Sequence, residues 1–272
     1  MRGFSDDVAS HQVAVDAYGV ILAACTTSED LLAQVEPLLP PTAKRLPSPT
    51  PENARRFGLI EEEDGTYSVY NGATRVSEGT ALTLALVVLE GQMRSFTAVW
   101  APRSIFIHAG VVAHRGRALV FPGDSFAGKT TLVAALAKRG ALYFSDEFAV
   151  LDADGLVHPY PKSLSIRPPG TTGQQIESTV ESLGGVAGDE ALRIGLAIVT
   201  HYVPGAEWQP KRLSPGAGAL ALLAKTVPAR LRPEEAVRTL AKAVEGAVVL
   251  EGERGEADEF AEMLLSDTAL VP

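Results

Sequence analysis

Between an apolar strand and a helix, the sequence places Gly123-Asp-Ser-Phe-Ala-Gly-Lys129-Thr130, a run that few backbone arrangements accommodate. Ala118-Leu-Val-Phe121 leads in with the composition of a buried strand. Lys129 to Arg139 leads out, with Leu132, Val133 and Leu136 spaced for one face of a helix. Glycines at 123 and 128 allow a tight wrap in which successive N–H groups point inward and attract an anion. The start of the helix adds unsatisfied N–H groups and the positive end of its dipole.

This is the P-loop spacing, and each residue in it has a phosphate to meet. The expected ligand is ATP with Mg²⁺, held along Gly123, Asp124, Ser125, Phe126, Ala127, Gly128, Lys129, Thr130 and Thr131. Lys129 supplies a mobile charge to the β and γ phosphates, and the Thr130 hydroxyl joins the Mg²⁺ shell. The following strand, Ala141-Leu-Tyr-Phe144, ends at Ser145-Asp146-Glu147, which puts two carboxylates on the rim where the loop lies. One can hold Mg²⁺ and the other can accept a proton from an attacking hydroxyl. His108, in Phe106-Ile-His-Ala-Gly110, lies one hairpin before the loop and is placed to tune Asp146. Its alternative is a histidine satisfied within the core. No pair among the five histidines has metal-ligand spacing.

The rest of the composition narrows the partners. A hydrophobic fraction of 46% and a charged fraction of 21% are those of an ordinary globular chain. A formal net charge of −9 argues against nucleic acid as a partner, because affinity for a polyanion rests on clustered Lys and Arg. The single cysteine, Cys25, sits among small apolar residues and reads as core filling. The longest apolar run, Leu84 to Leu89, is too short for a membrane span, and the N-terminus lacks the pattern of a signal peptide. A cytoplasmic protein with no membrane partner is expected.

Two regions are expected, residues 1–97 as a small α+β part and 98–272 as the phosphate-binding domain. In the first, one or two strands fall between His11 and Ala24, and Ser28 caps a helix beginning near Leu31. Five prolines between Pro40 and Pro51 mark a loop. A meander follows from Phe57 to Val76, with Asn71-Gly72 as a hairpin turn, and Ser77-Glu-Gly-Thr80 opens a helix running to about Thr97. In the second, Ser104 to Ala113 and Arg117 to Phe121 are strands joined by so short a turn that they must be antiparallel neighbours. Phe148–Leu151 and Leu156–His158 suggest another hairpin, Gly170 to Glu190 is polar and glycine-rich, and Leu192 to Val203 is an apolar strand. Helices are expected at Pro215–Leu223 and Pro233–Glu245.

Taken together, His108-Ala-Gly-Val-Val, the loop Gly123 to Thr130 and Ser145-Asp146-Glu147 resemble the HPr kinase/phosphorylase family, including relatives such as lasso peptide kinases. The resemblance runs from about Ser104 to Pro168. It implies an α/β fold of the P-loop, phosphoenolpyruvate-carboxykinase-like or HPr-kinase-like kind: a mixed sheet with flanking helices, plus the small N-terminal α+β region. In that fold the loop strand follows an antiparallel neighbour. It further implies phosphoryl transfer to a hydroxyl of a peptide, a protein or a small molecule, with Asp146 as base, His108 assisting and Lys129 on the phosphates. Thr130 and Glu147 would then serve the metal. Two departures stand out: Phe126 where the family usually has glycine, and Glu147 where it usually has aspartate. Arg167 and Lys162 are candidates to face the transferred phosphate, as an arginine finger does. The family forms hexamers, so the resemblance admits a homo-oligomer. The alternative is a nucleotide-binding regulatory module without transfer.

Overall fold

The computed structural model describes residues 9–124, 127–166, 176–268 and 270. They form a mixed α/β structure in two units, residues 1–103 and 104–272.

In the first unit β1 (His11–Ala17) and β2 (Val20–Thr26) form a hairpin turning at Tyr18-Gly19. Ser28 caps α1 (Glu29–Val35), its hydroxyl accepting from the Leu31 amide at 3.3 Å. After the proline-rich loop and the short β3 (Lys44–Arg45), the chain runs through β4 (Arg55–Glu61), β5 (Tyr67–Asn71) and β6 (Thr74–Thr80). The sheet order is β3-β1-β2-β4-β5-β6. Residues 77–80 belong to β6 and do not open the helix, as the sequence had suggested. Thr80 is tied to β5, its hydroxyl donating to the Tyr67 carbonyl at 3.1 Å, and α2 (Leu82–Trp100) starts beyond it with no side-chain cap. The helix buries Ala85, Leu89, Met93 and Thr97, one residue per turn, together with Ala98, and packs on β4 and β5. By length and composition alone it is apolar enough to cross a bilayer, a test that the core helix of a globular protein also passes. Cys25 is buried, and that burial pushes its thiol pKa up to about 12.

The second unit begins with β7 (Ile105–His114) and β8 (Arg117–Pro122), antiparallel as expected, turning at Arg115-Gly116. Next come α3 (Lys129–Lys138), β9 (Leu142–Ser145), β10 (Phe148–Leu151) and β11 (Leu156–His158). β12 (Leu164–Ile166) pairs with β13 (Ile176–Ser178), and β14 (Val186–Ala187) pairs in parallel with β9. Part of the stretch read as merely polar and glycine-rich therefore carries strands. β15 (Leu192–Tyr202) is followed by β16 (Lys211–Arg212), α4 (Pro215–Leu223), α5 (Pro233–Ala243), β17 (Val248–Arg254) and α6 (Ala257–Ser266). The last strand and last helix had no counterpart in the sequence reading.

β9, β8, β15 and β17 all run the same way, while β7 runs against β8 and β9. Four carboxyl ends therefore meet at one rim of the sheet. One face packs on α3 and α6 through Leu119, Phe121, Leu132, Leu136, Phe260 and Leu264. The other packs on α4 and α5 through Ile107, Val111, Val120, Leu222, Leu240 and Val249.

Candidate functional site: the rim where four strands end

Pro122 ends β8 and Gly123 begins the loop, its amide donating to the His108 carbonyl at 3.1 Å. Ser125 and Phe126 lie outside the described residues. The loop re-enters at Ala127, whose amide donates to the Asp124 carbonyl at 3.2 Å. Gly128 is the N-cap of α3 with φ +77°, a left-handed conformation that glycine alone adopts at no steric cost. A Cβ there would also come within 2.5 Å of the Arg254 guanidinium. No side chain caps α3, so its first N–H groups and dipole are directed at the loop's interior. Thr131, in this first turn, is exposed.

Lys129 folds back over the loop, its Nζ 3.0 Å from the Gly123 carbonyl and 2.7 Å from that of Asp124. Burial lowers its pKa from the ordinary lysine value; Asp146, Glu147 and Asp124 oppose that shift and Lys225 adds to it. The helix can come this close to the sheet because of Gly110. A Cβ on Gly110 would lie 2.7 Å from the Val133 side chain and 3.6 Å from the Lys129 Cβ. The glycine of His108-Ala-Gly110 thus sets the packing of α3.

β9 and β10 lie end to end along one edge of β7, with a register shift between Tyr143 and Ser145. Asp146 and Glu147 follow the end of β9, as expected, and form the bend that leads into β10. Ser145 holds that bend: its hydroxyl accepts from the Glu147 amide at 3.0 Å and the Phe148 amide at 2.9 Å. The Glu147 carbonyl accepts from the Ala109 amide at 3.0 Å. Asp146 is thereby turned inward and buried. Its Oδ2 accepts from the Thr130 hydroxyl at 2.9 Å, and its Oδ1 lies 3.3 Å from the Tyr143 hydroxyl. That hydroxyl also reaches the Lys162 carbonyl at 2.6 Å. Burial raises the Asp146 pKa above the usual carboxylate value, against the Thr130 hydrogen bond, the Lys162 charge and the Ser165 amide.

His108 is exposed and lies against Phe148, ring centroids 4.9 Å apart. Its charge is felt by Asp124. Lys162 contacts the Ser163 carbonyl, the Ser165 hydroxyl and Glu177 at 3.2, 3.3 and 3.5 Å. Arg167 lies outside the described residues. The rim therefore assembles Lys129, Thr130, Asp146 and Tyr143 directly, with Lys162 acting on Asp146 through its charge.

Two basic residues unnoticed in the sequence also converge here. Arg254, the last residue of β17, is buried and donates to the Gly128 carbonyl at 3.0 Å and the Gly255 carbonyl at 3.0 Å. Its Nε has no hydrogen-bond partner among the described residues. Lys225, just past α4, places its Nζ 2.6 Å from Asp124 Oδ2. That bond and charge hold the Asp124 carboxyl below its ordinary value. Between the loop and the ends of β15 and β17 is a cavity of about 420 Å³, lined by Gly123, Asp124, Thr200, His201, Lys225 and Glu253 among others.

The donor set fits Mg²⁺: the Thr130 hydroxyl and the Glu147 carboxylate are hard oxygens, with the Asp146 carboxylate in contact with Thr130 and left for another role. Among the described residues no group of three or more His, Cys, Asp or Glu could hold a metal on its own. Mg²⁺ is typically held by one or two carboxylates together with substrate phosphates.

No family model and no curated protein sequence matches the chain. Among solved structures, the chain is similar to the HPr(Ser) kinase/phosphatase from Coxiella burnetii, at 16% identity and a TM-score of 0.33. That likeness covers 61% of this chain and 96% of the other.

Proposed function

We propose that this chain is an ATP-dependent kinase of the P-loop, HPr-kinase-like kind, moving the γ-phosphoryl group to a hydroxyl of a peptide, a protein or a small molecule. The observation that carries this is the contact between the Thr130 hydroxyl and the buried Asp146 carboxylate, at the mouth of a glycine loop that opens a helix. A structural ion pair would not need an uncapped helix start, a lysine folded onto loop carbonyls and a carboxylate with a raised pKa in one place. The antiparallel β7–β8 pair leading into the loop is the setting that the family resemblance implies.

The nest of Gly123 to Thr131 binds the phosphate chain, and Lys129 leaves the Gly123 and Asp124 carbonyls for phosphate oxygens. Thr130 and Glu147 would hold Mg²⁺, which when bound neutralises charge on the β and γ oxygens. Asp146 accepts the acceptor's proton. The acceptor oxygen forms a bond to the γ phosphorus as the bond to the β–γ bridging oxygen breaks, and ADP departs. The burial that raises the Asp146 pKa makes it a better base than an exposed carboxylate. Tyr143 and Ser145 orient it, and His108 stands at the loop's entrance.

The test is ATP consumption by the pure protein with Mg²⁺ and a pool of serine peptides and small alcohols, with mass spectrometry for an added phosphate. A phosphorylated acceptor that disappears in Asp146→Asn supports the kinase. ATP binding with no transfer to any acceptor in the pool favours the regulatory module instead.

A further inference from the structure

Resting on the kinase reading, we propose that Lys225 is a second phosphate-binding ammonium, meeting the γ-phosphoryl group opposite Lys129, with Asp124 as the carboxylate it leaves on doing so.

The position of Lys225 is fixed by the sheet. β8 occupies one edge of β7 as far as Ala109, where the chain departs into the loop. The segment after α4 takes up that edge next: the His108 amide donates to the Lys225 carbonyl at 2.8 Å, and Thr226 bridges to Ile107. The Lys225 amide donates to the Leu222 carbonyl at 3.0 Å, which closes α4 behind it. His108 therefore has Gly123 on its carbonyl and Lys225 on its amide, so the lysine stands beside the first residue of the loop. A backbone held in this way delivers a side chain to one place.

The side chain then reaches inward. Lys225 Nζ meets Asp124 Oδ2, while Lys129 Nζ rests on the Gly123 and Asp124 carbonyls. Two ammonium groups converge on Asp124, and the Lys225 charge is felt at Lys129. Lys129 is the residue that the loop pattern sends to the outermost phosphates, so the Gly123–Asp124 end marks the γ end of the site. The Asp124 side chain is 79% exposed and that of Lys225 29%. An ion pair with so exposed a partner contributes little to stability. It keeps a cation stationed at the edge of the cavity, where a phosphate oxygen with more negative charge can displace the carboxylate.

The experiment is titration calorimetry on the full chain with Mg²⁺, comparing a non-hydrolysable ATP analogue with ADP. Lys225→Met is expected to weaken the analogue about tenfold or more, the size of one charge-assisted hydrogen bond. ADP, which lacks the γ group, should change by no more than about twofold. Lys225→Arg should recover most of the loss, and Asp124→Asn should tighten the analogue because the competing carboxylate is gone. A purely structural pair would behave otherwise: Lys225→Met and Asp124→Asn would weaken both nucleotides alike and lower Tm together, which overturns the assignment. Analogue binding by Lys225→Met equal to wild type also overturns it and leaves the kinase reading standing. Wild-type protein that binds neither nucleotide overturns both.

Discussion

Asp146 bears opposing demands that one substitution can separate. Burial raises its pKa in the folded chain, so the ionised form is less comfortable there than in the unfolded chain. A carboxyl with a raised folded pKa contributes stability that is full below the unfolded pKa and lost as pH rises through the folded one. At neutral pH the ligand-free protein therefore carries a penalty that Asp146→Asn removes. The expected outcome is a higher Tm for this variant in thermal melts, by about 2–4 °C for each kcal/mol recovered, with nucleotide binding kept and transfer abolished. The same direction of shift predicts that the wild-type rate falls as pH is lowered toward the raised pKa, a limb missing from any residual activity of the variant. Arg254 offers a complementary case. Its bond to the Gly128 carbonyl shapes the loop from beneath, so Arg254→Met should weaken nucleotide binding by about tenfold, measured by calorimetry alongside Tm.

At the scale of elements, the approach of α3 to β7 carries the site, and it depends on the absent side chain of Gly110. Gly110→Ala places a carbon against Val133 and should cost about 1–3 kcal/mol through overpacking. Moving the first turn of α3 also displaces Lys129 and Thr130, so nucleotide affinity should fall with stability. The double variant Gly110→Ala/Val133→Ala makes room again and should recover part of both; no recovery in melts and titrations would mean that the contact does not govern the helix position. Much at this scale was legible in the sequence. The short turn at Arg115-Gly116 forced an antiparallel pair, Ser28 announced α1, and Pro215 and Pro233 marked the helices they open. The capping chemistry of Ser, Glu and Thr at residues 77–80 points to a helix start, but cross-strand pairing with β5 prevails there. Asp146 stands just past the end of β9, as its place in the sequence implies, but the resumption of pairing with β7 in β10 directly after it has no sequence signature beyond Ser145.

For the whole molecule, every side chain described at the rim belongs to residues 104–272, which hold their own core on both faces of the sheet. A fragment starting at Ser104 is expected to fold and to bind the ATP analogue as the full chain does, checked by calorimetry and thermal melts. Failure to melt cooperatively would show that the second unit requires the first. The local motif was legible because its residues are contiguous and its chemistry is compressed into eight positions. Lys225 and Arg254 were not, because they meet the loop across 101 and 126 residues of chain, and a single cation in a helix end or a strand end carries no pattern.

That long reach sets an order of events during synthesis. The glycine loop leaves the ribosome ahead of β17, with its strand and helix, and in composition it is complete at that point. The bond that shapes it from beneath must wait for β17, and Arg254 is the last residue of that strand. A nascent chain halted before Arg254 would display the whole motif without the brace for its turn. Nucleotide capture at full strength is thereby deferred until Arg254 has emerged and reached the Gly128 carbonyl.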